Sequence, residues 1–426
     1  INDSQLFWLT IDELNPPEQS GGFSFLYGCT ISTCTKSLVV LPQHSIMKKN
    51  ITIVGGGIAG LTTAIALNKA EFPTTIFEAA PQIKAVGAGL ALAANAMKAF
   101  QKIGIAEDVI AEGRILPAFL LLDQQGKQLA KTNSEALSKK YGVDNFTIHR
   151  ADLHRVLLSK LDPSTVHSNK RIVDIATQGE KTVLTFQDGS THEAEVLVAA
   201  DGIHSPIRKK LLPESKERYA GYTCWRAIID NTKLQITESS ETWGNNGRFG
   251  IVPLAHNKIY WFACINAKAQ DEKMKAFRVA DLAAHFKDFH APIPQILQET
   301  KDEHLLWNDI NDLQPIHQLA FGNIVLIGDA GHATTPNMGQ GACQAIEDAI
   351  VLADELSKTD NVAVAFKAFE NRRIQRVHRI VNTSWTFGKI AHIENPWLIS
   401  ARNFLFRHIP ASINEKQVQV VYEVDF

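Results

Sequence analysis

The stretch IVGGGIAG, at residues 53 to 60, is the feature that most restricts what this chain can fold into. It ends an apolar run, Ile51 to Val54, and leads into an Ala- and Leu-rich helical pattern from Ile58 to Lys69. Its glycines follow G-x-G-x-x-G: the first allows a tight turn, the second lets a pyrophosphate approach the backbone, and the third lets helix and strand pack closely. The pattern predicts a β-α-β unit that binds a dinucleotide.

An acidic residue stands where such a unit needs one. Glu78 ends the next strand-like run, Thr74 to Glu78, where a carboxylate can accept hydrogen bonds from the ribose hydroxyls of adenosine. The helix N-terminus after the turn would face the phosphates with its partial positive charge. NAD and FAD both use this turn, so the choice between them stays open at this point. The predicted residues of the turn are Gly55, Gly57, Ile58, Ala59 and Gly60.

A second glycine-rich turn, GDAGHATTPNMGQG, lies far downstream at residues 328 to 341. Asp329 directly follows an apolar run, so its carboxylate can accept hydrogen bonds from the ribityl hydroxyls of FAD. The segment Pro336 to Ala342 opens a helical pattern, and its N–H groups can bind the pyrimidine carbonyls of a flavin. A helix N-cap and a plain turn are the alternatives for these two features. Because FAD is longer than NAD and needs further contacts, the two turns together favour FAD.

A third motif, AADGIHSPIR at residues 199 to 208, lies between the two turns. The three motifs and their spacing resemble the single-component FAD-dependent aromatic hydroxylases, the p-hydroxybenzoate hydroxylase type that includes salicylate and urate hydroxylases. YAGYTCWR, at residues 219 to 226, is similar to the start of the substrate-domain sheet in the salicylate and urate branch. The resemblance covers residues 48 to at least 390.

The resemblance implies further cofactor contacts. Arg150 matches the family arginine that reaches the flavin's linker region, and Asp201-Gly202 matches an Asp-Gly motif tied to both FAD and nicotinamide binding. Gly87 and Gly89 fit a second close approach of the backbone to the flavin ring. The remaining predicted contacts are Gly328, Asp329, Pro336, Gly339, Gln340, Gly341 and Ala342.

The activity implied by the resemblance is hydroxylation of a small aromatic or heteroaromatic substrate. In that family NADH or NADPH reduces FAD, dioxygen then gives a flavin hydroperoxide, and its distal oxygen attacks an electron-rich carbon. The nicotinamide binds transiently, which agrees with the absence of a second G-x-G-x-x-G. Arg248 and Tyr260 match substrate-orienting positions of urate hydroxylases; the alternatives are a solvent-facing Arg and a core Tyr. No metal is expected.

Two other functions stay open for this sequence. One is a related FAD monooxygenase that modifies a larger polyketide-like or antibiotic substrate. The other is a flavoprotein without turnover that serves as a binding or redox-sensing module. Both would use the same cofactor-binding motifs, so substrate trials are needed to separate them.

The resemblance also implies the fold class, which is α/β. We expect a Rossmann-like FAD-binding domain with an inserted, mainly antiparallel β-sheet domain for the substrate, followed by C-terminal helices. The predicted segments are FAD-binding at 47–211 and 319–390, substrate-binding at 212–318, and a helical tail at 391–426. Residues 1–46 show no sustained periodicity and precede Met47, so we expect an N-terminal extension of artificial origin or poor structure.

Composition argues against several classes of partner. The net charge of -2 gives no reason to expect nucleic acid or an anionic membrane. No apolar run approaches the roughly 18 residues that span a bilayer. Five scattered cysteines favour neither a disulfide framework nor a metal site, and a reducing cytoplasm is the expected location. We expect the protein to be a monomer or a homodimer. Two basic clusters, Arg208 to Lys210 and Arg372 to Arg376, are predicted to be solvated helix surface.

Overall fold

Two large β-sheets organise the residues that the computed structural model describes, which are 49–81, 88–142, 145–408, 419 and 421–426. One sheet has six strands and the other seven, and two three-stranded sheets accompany them. The predicted N-terminal extension at residues 1–46 lies outside the described residues, as does Gly87 among the predicted cofactor contacts.

The described strands, in chain order, are β1 (Ile51–Val54), β2 (Thr74–Phe77), β3 (Gly89–Leu92), β4 (Gly113–Ile115), β5 (Ala118–Asp123), β6 (Gln128–Asn133), β7 (Phe146–His149), β8 (Val166–His167), β9 (Ile172–Gln178), β10 (Lys181–Phe186), β11 (Thr191–Ala194), β12 (Val196–Ala199), β13 (Glu217–Asp230), β14 (Ser239–Trp243), β15 (Arg248–Leu254), β16 (Lys258–Asn266), β17 (Leu306–Leu313), β18 (Ala320–Phe321) and β19 (Ile324–Leu326).

The described α-helices are α1 (Ile58–Lys69), α2 (Ala94–Ile103), α3 (Ala106–Ala111), α4 (Ser134–Tyr141), α5 (Arg150–Ser159), α6 (Pro206–Leu211), α7 (Glu272–Lys275), α8 (Val279–His285), α9 (Ile293–Gln298), α10 (Asp329–His332), α11 (Gly341–Leu356), α12 (Val362–Ala391) and α13 (Pro396–His408). Among the described residues, none of these helices combines the length and the hydrophobicity that a membrane span requires.

The six-stranded sheet has the order β18-β19-β12-β1-β2-β8. Every strand pair in it is parallel except β18–β19. Parallel neighbours need a crossover connection, and α1 supplies the one between β1 and β2. β1 and β12 are buried at every residue, as expected for strands whose two faces are both covered. The adjacent strands β1, β12 and β19 therefore end at the same edge of the sheet.

Helix α11 covers the sheet beside that edge. It is buried along most of its length and packs between α1 and α12. The approach to α1 is close: a Cβ added to Gly328 would lie 2.9 Å from the Cβ of Ala59 and 3.3 Å from that of Ala345. The small residues at these positions let the second glycine-rich turn sit directly against the first.

The seven-stranded sheet has the order β17-β13-β16-β15-β14-β5-β6 and is antiparallel apart from the β14–β5 pair. One face carries an apolar core in which Trp225, Phe249 and Trp261 pack with residues of α8 and α9. Because side chains alternate along a strand, the neighbours of Trp225 on β13, Cys224 and Arg226, point to the opposite face. That face turns toward the edge where β1, β12 and β19 end, since residues of both line one cavity.

Strands β5 and β6 show that this sheet is assembled from two distant parts of the chain. They come from residues 118–133, ahead of the predicted substrate segment at 212–318, and β5 pairs with β14. The predicted domain boundaries stay a proposal. The β5–β6 hairpin adds that the segment ahead of residue 212 also contributes strands to the seven-stranded sheet.

Candidate cofactor and substrate site

The three sequence motifs meet because the strands that precede them are neighbours. β1, β12 and β19 are adjacent and parallel, so the turns that follow them emerge at one edge of the sheet. Ligands of open α/β sheets bind outside the carboxyl ends of the strands. The residues that begin these turns are Gly55, Ala200 and Ile327.

The three glycines of the first turn differ in what surrounds them. Gly55 has a φ of +111°, and a Cβ there would lie 2.2 Å from the carbonyl oxygen of Ala200. A Cβ on Gly60 would lie 1.9 Å from the carbonyl oxygen of Gly55, so this glycine allows α1 to pack on the turn. A Cβ on Gly57 would have no neighbour within 4 Å. The open side of the turn is thus at Gly57, where a pyrophosphate would approach.

Glu78 is anchored to the first turn. Its Oε2 accepts a hydrogen bond from the backbone N–H of Gly56 at 2.6 Å, and its Oε1 accepts one from Ala80 at 2.7 Å. Each carboxylate oxygen has two lone pairs, so both oxygens keep capacity to accept from ribose hydroxyls. The backbone contacts hold the carboxylate beside the turn, which suits its predicted role.

A cavity of about 400 Å³ joins the edge of the six-stranded sheet to the face of the seven-stranded sheet. The predicted residues that line it are Gly57, Ile58, Ala59, Gly89, Arg150, Gly202, Arg248, Tyr260, Asp329, Pro336, Gly339, Gly341 and Ala342. The described predicted residues that lie outside its lining are Gly55, Gly60, Glu78, Asp201, Gly328 and Gln340.

Asp329 offers its carboxylate to the cavity. It is the first residue of α10, and its side chain is accessible from the cavity. The surrounding protein raises the pKa of Asp329 by desolvation, while the charges of His332 and Arg150 oppose that rise. An acceptor placed in this way, without an ion-pair partner among the described residues, suits a ligand chain that carries hydroxyl groups.

Asp201 is an orphaned polar group behind the cavity. Both of its carboxylate oxygens are buried without a well-formed hydrogen bond among the described residues. Burial raises the pKa of Asp201 to about 6, and the nearby Ser205 hydroxyl and backbone amides only moderate the effect. Buried polar atoms in folded proteins normally have partners, so Asp201 is an acceptor that the described part of the protein alone does not satisfy. Together with open Gly57 and accessible Asp329, it fits FAD.

The loop before α11 contributes through its backbone. Gln340 is the N-cap residue, but its side-chain Oε1 accepts from Asn95 and Gln344, each at 3.0 Å, and therefore points away from the cavity. The first backbone N–H groups of the helix, at Gly341 and Ala342, have no intrahelical acceptor. They line the cavity and can donate to the carbonyls of a flavin ring.

Gly89 has a more specific neighbour than the sequence indicates. A Cβ on Gly89 would lie 2.8 Å from Cβ of Tyr260, so this glycine lets β3 approach β16. The predicted close approach of Gly89 to the flavin ring stays a prediction. What the structure adds is that the small residue also makes room for the predicted substrate-orienting tyrosine.

Asp348 positions the second turn and is absent from the predicted set. Its Oδ2 accepts from the backbone N–H of Gly328 at 2.8 Å and from Nε2 of His332 at 2.6 Å. Its Oδ1 accepts from Nε of Arg373 at 2.7 Å. The prediction that Arg373 belongs to a solvated helix surface is wrong, since its side chain is 2% exposed. The available signal was an acidic pair, Glu347-Asp348, flanked on both sides by apolar residues of the helix.

Arg208 ties the third motif to the second turn. Its Nη1 donates to the carbonyl oxygen of Ala330 at 3.0 Å, directly after Asp329. The side chain is fully buried, so its predicted place on a solvated surface is also wrong. A buried arginine that spans two loops fixes the distance between them, and here it holds the Asp201 loop against the Asp329 turn.

Arg248 and Tyr260 lie at the other end of the cavity, on neighbouring strands β15 and β16. Arg248 is 2% exposed and donates from Nη1 to Oε1 of Glu241 at 2.9 Å and from Nη2 to Oδ1 of Asn337. The alternative of a solvent-facing Arg248 is therefore wrong. Desolvation raises the pKa of Tyr260, so its hydroxyl stays protonated and can donate a hydrogen bond into the cavity.

A second cavity, of about 570 Å³, shares Arg226 with the first. Glu112, Asp152 and His256 line it, and their possible ligand atoms lie within 4.8 Å of one another. Arg155 donates to Glu112 at 2.7 Å and to Asp152 at 3.1 Å. Because the arginine already supplies positive charge to both carboxylates, this group carries no argument for a metal ion.

Comparison with known families places these features in context. A family model described as "FAD binding domain" matches residues 48–384. That range contains all three motifs and both large sheets.

Two characterised relatives match nearly the whole described chain. Aurachin C monooxygenase/isomerase of Stigmatella aurantiaca is 35% identical over 364 residues, which is 85% of this chain and 95% of the relative. The 2-heptyl-3-hydroxy-4(1H)-quinolone synthase of Pseudomonas aeruginosa is 32% identical over 365 residues, 84% of this chain and 94% of the relative. Among solved structures, Klebsiella pneumoniae HpxO complexed with FAD and uric acid has a TM-score of 0.81 at 26% identity, covering 88% of this chain and 96% of HpxO.

Proposed function

Because the chain belongs to the FAD binding domain family of flavoprotein monooxygenases, we propose that it hydroxylates a small heteroaromatic compound at the expense of NAD(P)H and dioxygen. Membership of the family confirms the predicted family, fold class and FAD cofactor. The identity of the ring, the residues that bind it and the use of dioxygen are part of the proposal.

The residues proposed to hold FAD divide along the cofactor. Gly57 and the start of α1 would take the pyrophosphate, Glu78 the adenosine ribose, and Asp329 the ribityl chain. Gly341 and Ala342 would bind the pyrimidine edge of the ring through their N–H groups. FAD, when bound, supplies the redox chemistry that transfers electrons from NAD(P)H to dioxygen. The chain's own side chains bind, orient and exclude water.

One observation carries the proposal: a single cavity connects the turn at Gly57 with Arg248 and Tyr260 on the seven-stranded sheet. A ring bound against that sheet would therefore lie at the reactive end of the cofactor. Phe262, Val252 and Ile310 add apolar surface to the same wall. Such a wall excludes water, which otherwise diverts the activated oxygen to peroxide.

The proposed substrate class comes from the relatives, because the cavity of about 400 Å³ would receive part of FAD as well as the substrate. The name of one relative refers to a 3-hydroxy-4(1H)-quinolone that carries a heptyl chain, and a solved relative was crystallised with uric acid. Both compounds are nitrogen heterocycles with ring oxygens, and we propose the same class here.

The test is a substrate panel on the holoenzyme. Purified protein should be yellow or become yellow with FAD, and NAD(P)H oxidation should accelerate with one class among phenolic acids, purines, indoles and 4-quinolones. Product analysis by mass spectrometry separates hydroxylation from peroxide leakage. A protein that stays colourless after FAD addition contradicts cofactor binding. A yellow protein whose NAD(P)H oxidation no ring compound accelerates supports the redox-sensing alternative instead.

Assembly and location complete the proposal. The predicted monomer or homodimer and the predicted cytoplasmic location stay predictions. In the described part of the chain Cys224, Cys264 and Cys343 form no disulfide, which is compatible with a reducing compartment. Size-exclusion chromatography with light scattering would decide the oligomeric state.

A further inference from the structure

Two arginines reach the ring end of the cavity, and they differ in how their charges are compensated. Arg248 comes from β15 and Arg226 from β13, and both line the cavity. An arginine is always charged, so each needs either an internal anion or a ligand to offset its burial. Comparing their partners indicates which of the two is available to a substrate.

Arg248 is held by the protein. Oε1 of Glu241, at 2.9 Å, compensates its charge, and Asn337 accepts from its other terminal nitrogen. Glu241 is itself fixed, because the same Oε1 accepts from Nε1 of Trp243 at 2.9 Å. Asn337 is fixed as well, since its Oδ1 also accepts from the hydroxyl of Tyr222 at 2.9 Å. A substrate carboxylate beside Arg248 would meet the negative charge of Glu241.

Arg226 has no such partner. Among the described residues no carboxylate lies within ion-pair distance of its guanidinium, and the hydrogen bond from its Nη2 to Oδ1 of Asn308 is long at 3.4 Å. The Nε atoms of Arg226 and Arg248 are both buried without a hydrogen-bond partner, so the two arginines differ only at their terminal nitrogens. The thiol of Cys224 interacts with Arg226: the pKa of this thiol is lowered by its hydrogen bond with Cys264 and further by the charge of Arg226. Of these two arginines, Arg226 is therefore the one without a carboxylate partner among the described residues.

We propose that Arg226 binds an oxygen of the aromatic substrate, and that Glu241 excludes rings with a carboxylate by neutralising Arg248. The substrate is then a hydroxy- or oxo-substituted heteroaromatic ring without a carboxylate group. This inference rests on the proposed function and narrows its substrate class. A guanidinium at the ring oxygen favours the oxygen's anionic form, which enriches the conjugated ring carbons for attack by an electrophilic oxygen.

A matched ligand pair tests the proposal on the holoenzyme. The probes are 4-hydroxyquinoline and kynurenate, which is the same ring with a carboxylate added next to the ring nitrogen. Dissociation constants come from the change in flavin absorbance on titration, independently of turnover. We expect wild-type protein to bind 4-hydroxyquinoline at least about tenfold more tightly than kynurenate, as repulsion worth one charged hydrogen bond predicts.

Two substitutions assign the preference to residues. Glu241→Gln keeps an acceptor for Arg248 but removes the negative charge, so it should improve kynurenate binding. The ratio of the dissociation constant for kynurenate to that for 4-hydroxyquinoline should fall at least about tenfold. Arg226→Gln should weaken 4-hydroxyquinoline binding by about tenfold or more with FAD content unchanged. The exposed Glu238→Gln and Arg171→Gln are the matched controls, and both should leave the two constants unchanged.

The outcomes separate this inference from the proposed function. Kynurenate bound more tightly than 4-hydroxyquinoline by wild-type protein, or an unchanged ratio in Glu241→Gln, overturns the inference while leaving a monooxygenase. Failure of both probes to bind also overturns it. If Arg226→Gln loses its flavin, its apoprotein is reconstituted with excess FAD and compared with Arg226→Lys, which keeps the positive charge. Arg226→Lys should then bind 4-hydroxyquinoline more tightly than the reconstituted Arg226→Gln protein.

Discussion

Asp201 and Asp329 are carboxylates for which the described side chains provide no ion pair. Asp329 is open to the cavity, while the oxygens of Asp201 are buried behind it. In both, desolvation raises the pKa, so both are poorly compensated in the protein alone. Residues with strongly perturbed pKa values cluster at ligand sites, because the ligand supplies the missing partner.

We predict that Asp329→Ala weakens FAD binding by roughly tenfold to a hundredfold, since hydrogen bonds to a charged acceptor contribute about 1.5–3 kcal/mol. Equilibrium dialysis or fluorescence titration of the apoprotein measures the change. Circular dichroism at the same concentration checks that the variant is folded. FAD affinity equal to wild type in a folded variant would contradict the ribityl role of this carboxylate.

Asp201 leads to a pH-dependent prediction for the FAD-free protein. Its pKa is about 6 in the folded protein, against 3.8 for an ordinary aspartate, so the carboxyl group ionises first in the unfolded chain as the pH rises. The contribution of Asp201 to the free energy of unfolding therefore falls between about pH 4 and pH 6 and stays low above that range. Asp201→Asn should raise the unfolding free energy by about 2 kcal/mol more at pH 7.5 than at pH 4.5.

Thermal unfolding of apo wild type and Asp201→Asn at those two pH values measures the difference. The same variant should bind FAD less well, because an amide replaces the anionic acceptor. A stability gain that is the same at both pH values would show that Asp201 is not the ionising group. A loss of stability at both would show that its carboxylate has partners beyond those of the structure.

At the scale of secondary-structure elements, the first glycine-rich turn contains glycines with two different roles. In IVGGGIAG, Gly60 faces the backbone of Gly55 and Gly57 faces open space, although both belong to the same motif. Glycine is therefore required at one position for packing and at the other for the ligand. In this turn the requirement for folding lies at Gly60 and the requirement for binding lies at Gly57, three residues away.

We predict opposite phenotypes for Gly57→Ala and Gly60→Ala. The added methyl at Gly60 would lie 1.9 Å from a backbone oxygen, so this variant should fold poorly with or without FAD. Gly57 has an ordinary φ of -79°, so Gly57→Ala should fold with a loss of about 1 kcal/mol or less. Its methyl group would occupy the path of the pyrophosphate and weaken FAD binding about tenfold or more. Apo melting temperatures and FAD titrations of the two variants give the comparison.

How far the sequence predicts the site depends on how local each contact is. The residues proposed to bind FAD can be predicted from the sequence, because the turns at 53–60 and 328–341 carry their own strand, glycines and helix start. The pairing of Glu241 with Arg248 cannot be predicted in this way, since it depends on the β14–β15 register. Arg373 looked solvated for the same reason: its partners Glu347 and Asp348 lie on another helix.

At the scale of the whole molecule, the cavity lining runs from Gly57 to Ala345 and draws on both large sheets. Cofactor binding should therefore stabilise the two sheets as one unit. FAD at about 100 times its dissociation constant should add about 2.7 kcal/mol to the free energy of unfolding. ADP reaches only the first turn and should bind more weakly, so at the same concentration we expect it to add less to the free energy of unfolding.

Differential scanning calorimetry of the apoprotein, with FAD or ADP, measures this prediction. With FAD bound, the fluorescence change of the tryptophans, of which Trp225, Trp243 and Trp261 lie on the seven-stranded sheet, should occur at the same temperature as the heat absorption. A fluorescence transition that stays at the apoprotein's temperature when FAD is added would contradict coupling between the sheets.

The pairing of β12 with β19 and of β5 with β14 has a consequence for how the polypeptide matures. Leu197 pairs with Ile324, and Phe119 pairs with Ser239. Each sheet can therefore be completed only after residues more than a hundred positions further along the chain have been synthesised. Contacts of such long sequence separation form slowly, because a large loop must close first. A nascent chain still short of Ile324 lacks a strand of the cofactor edge, and FAD capture therefore belongs to the last stage of synthesis or follows release from the ribosome.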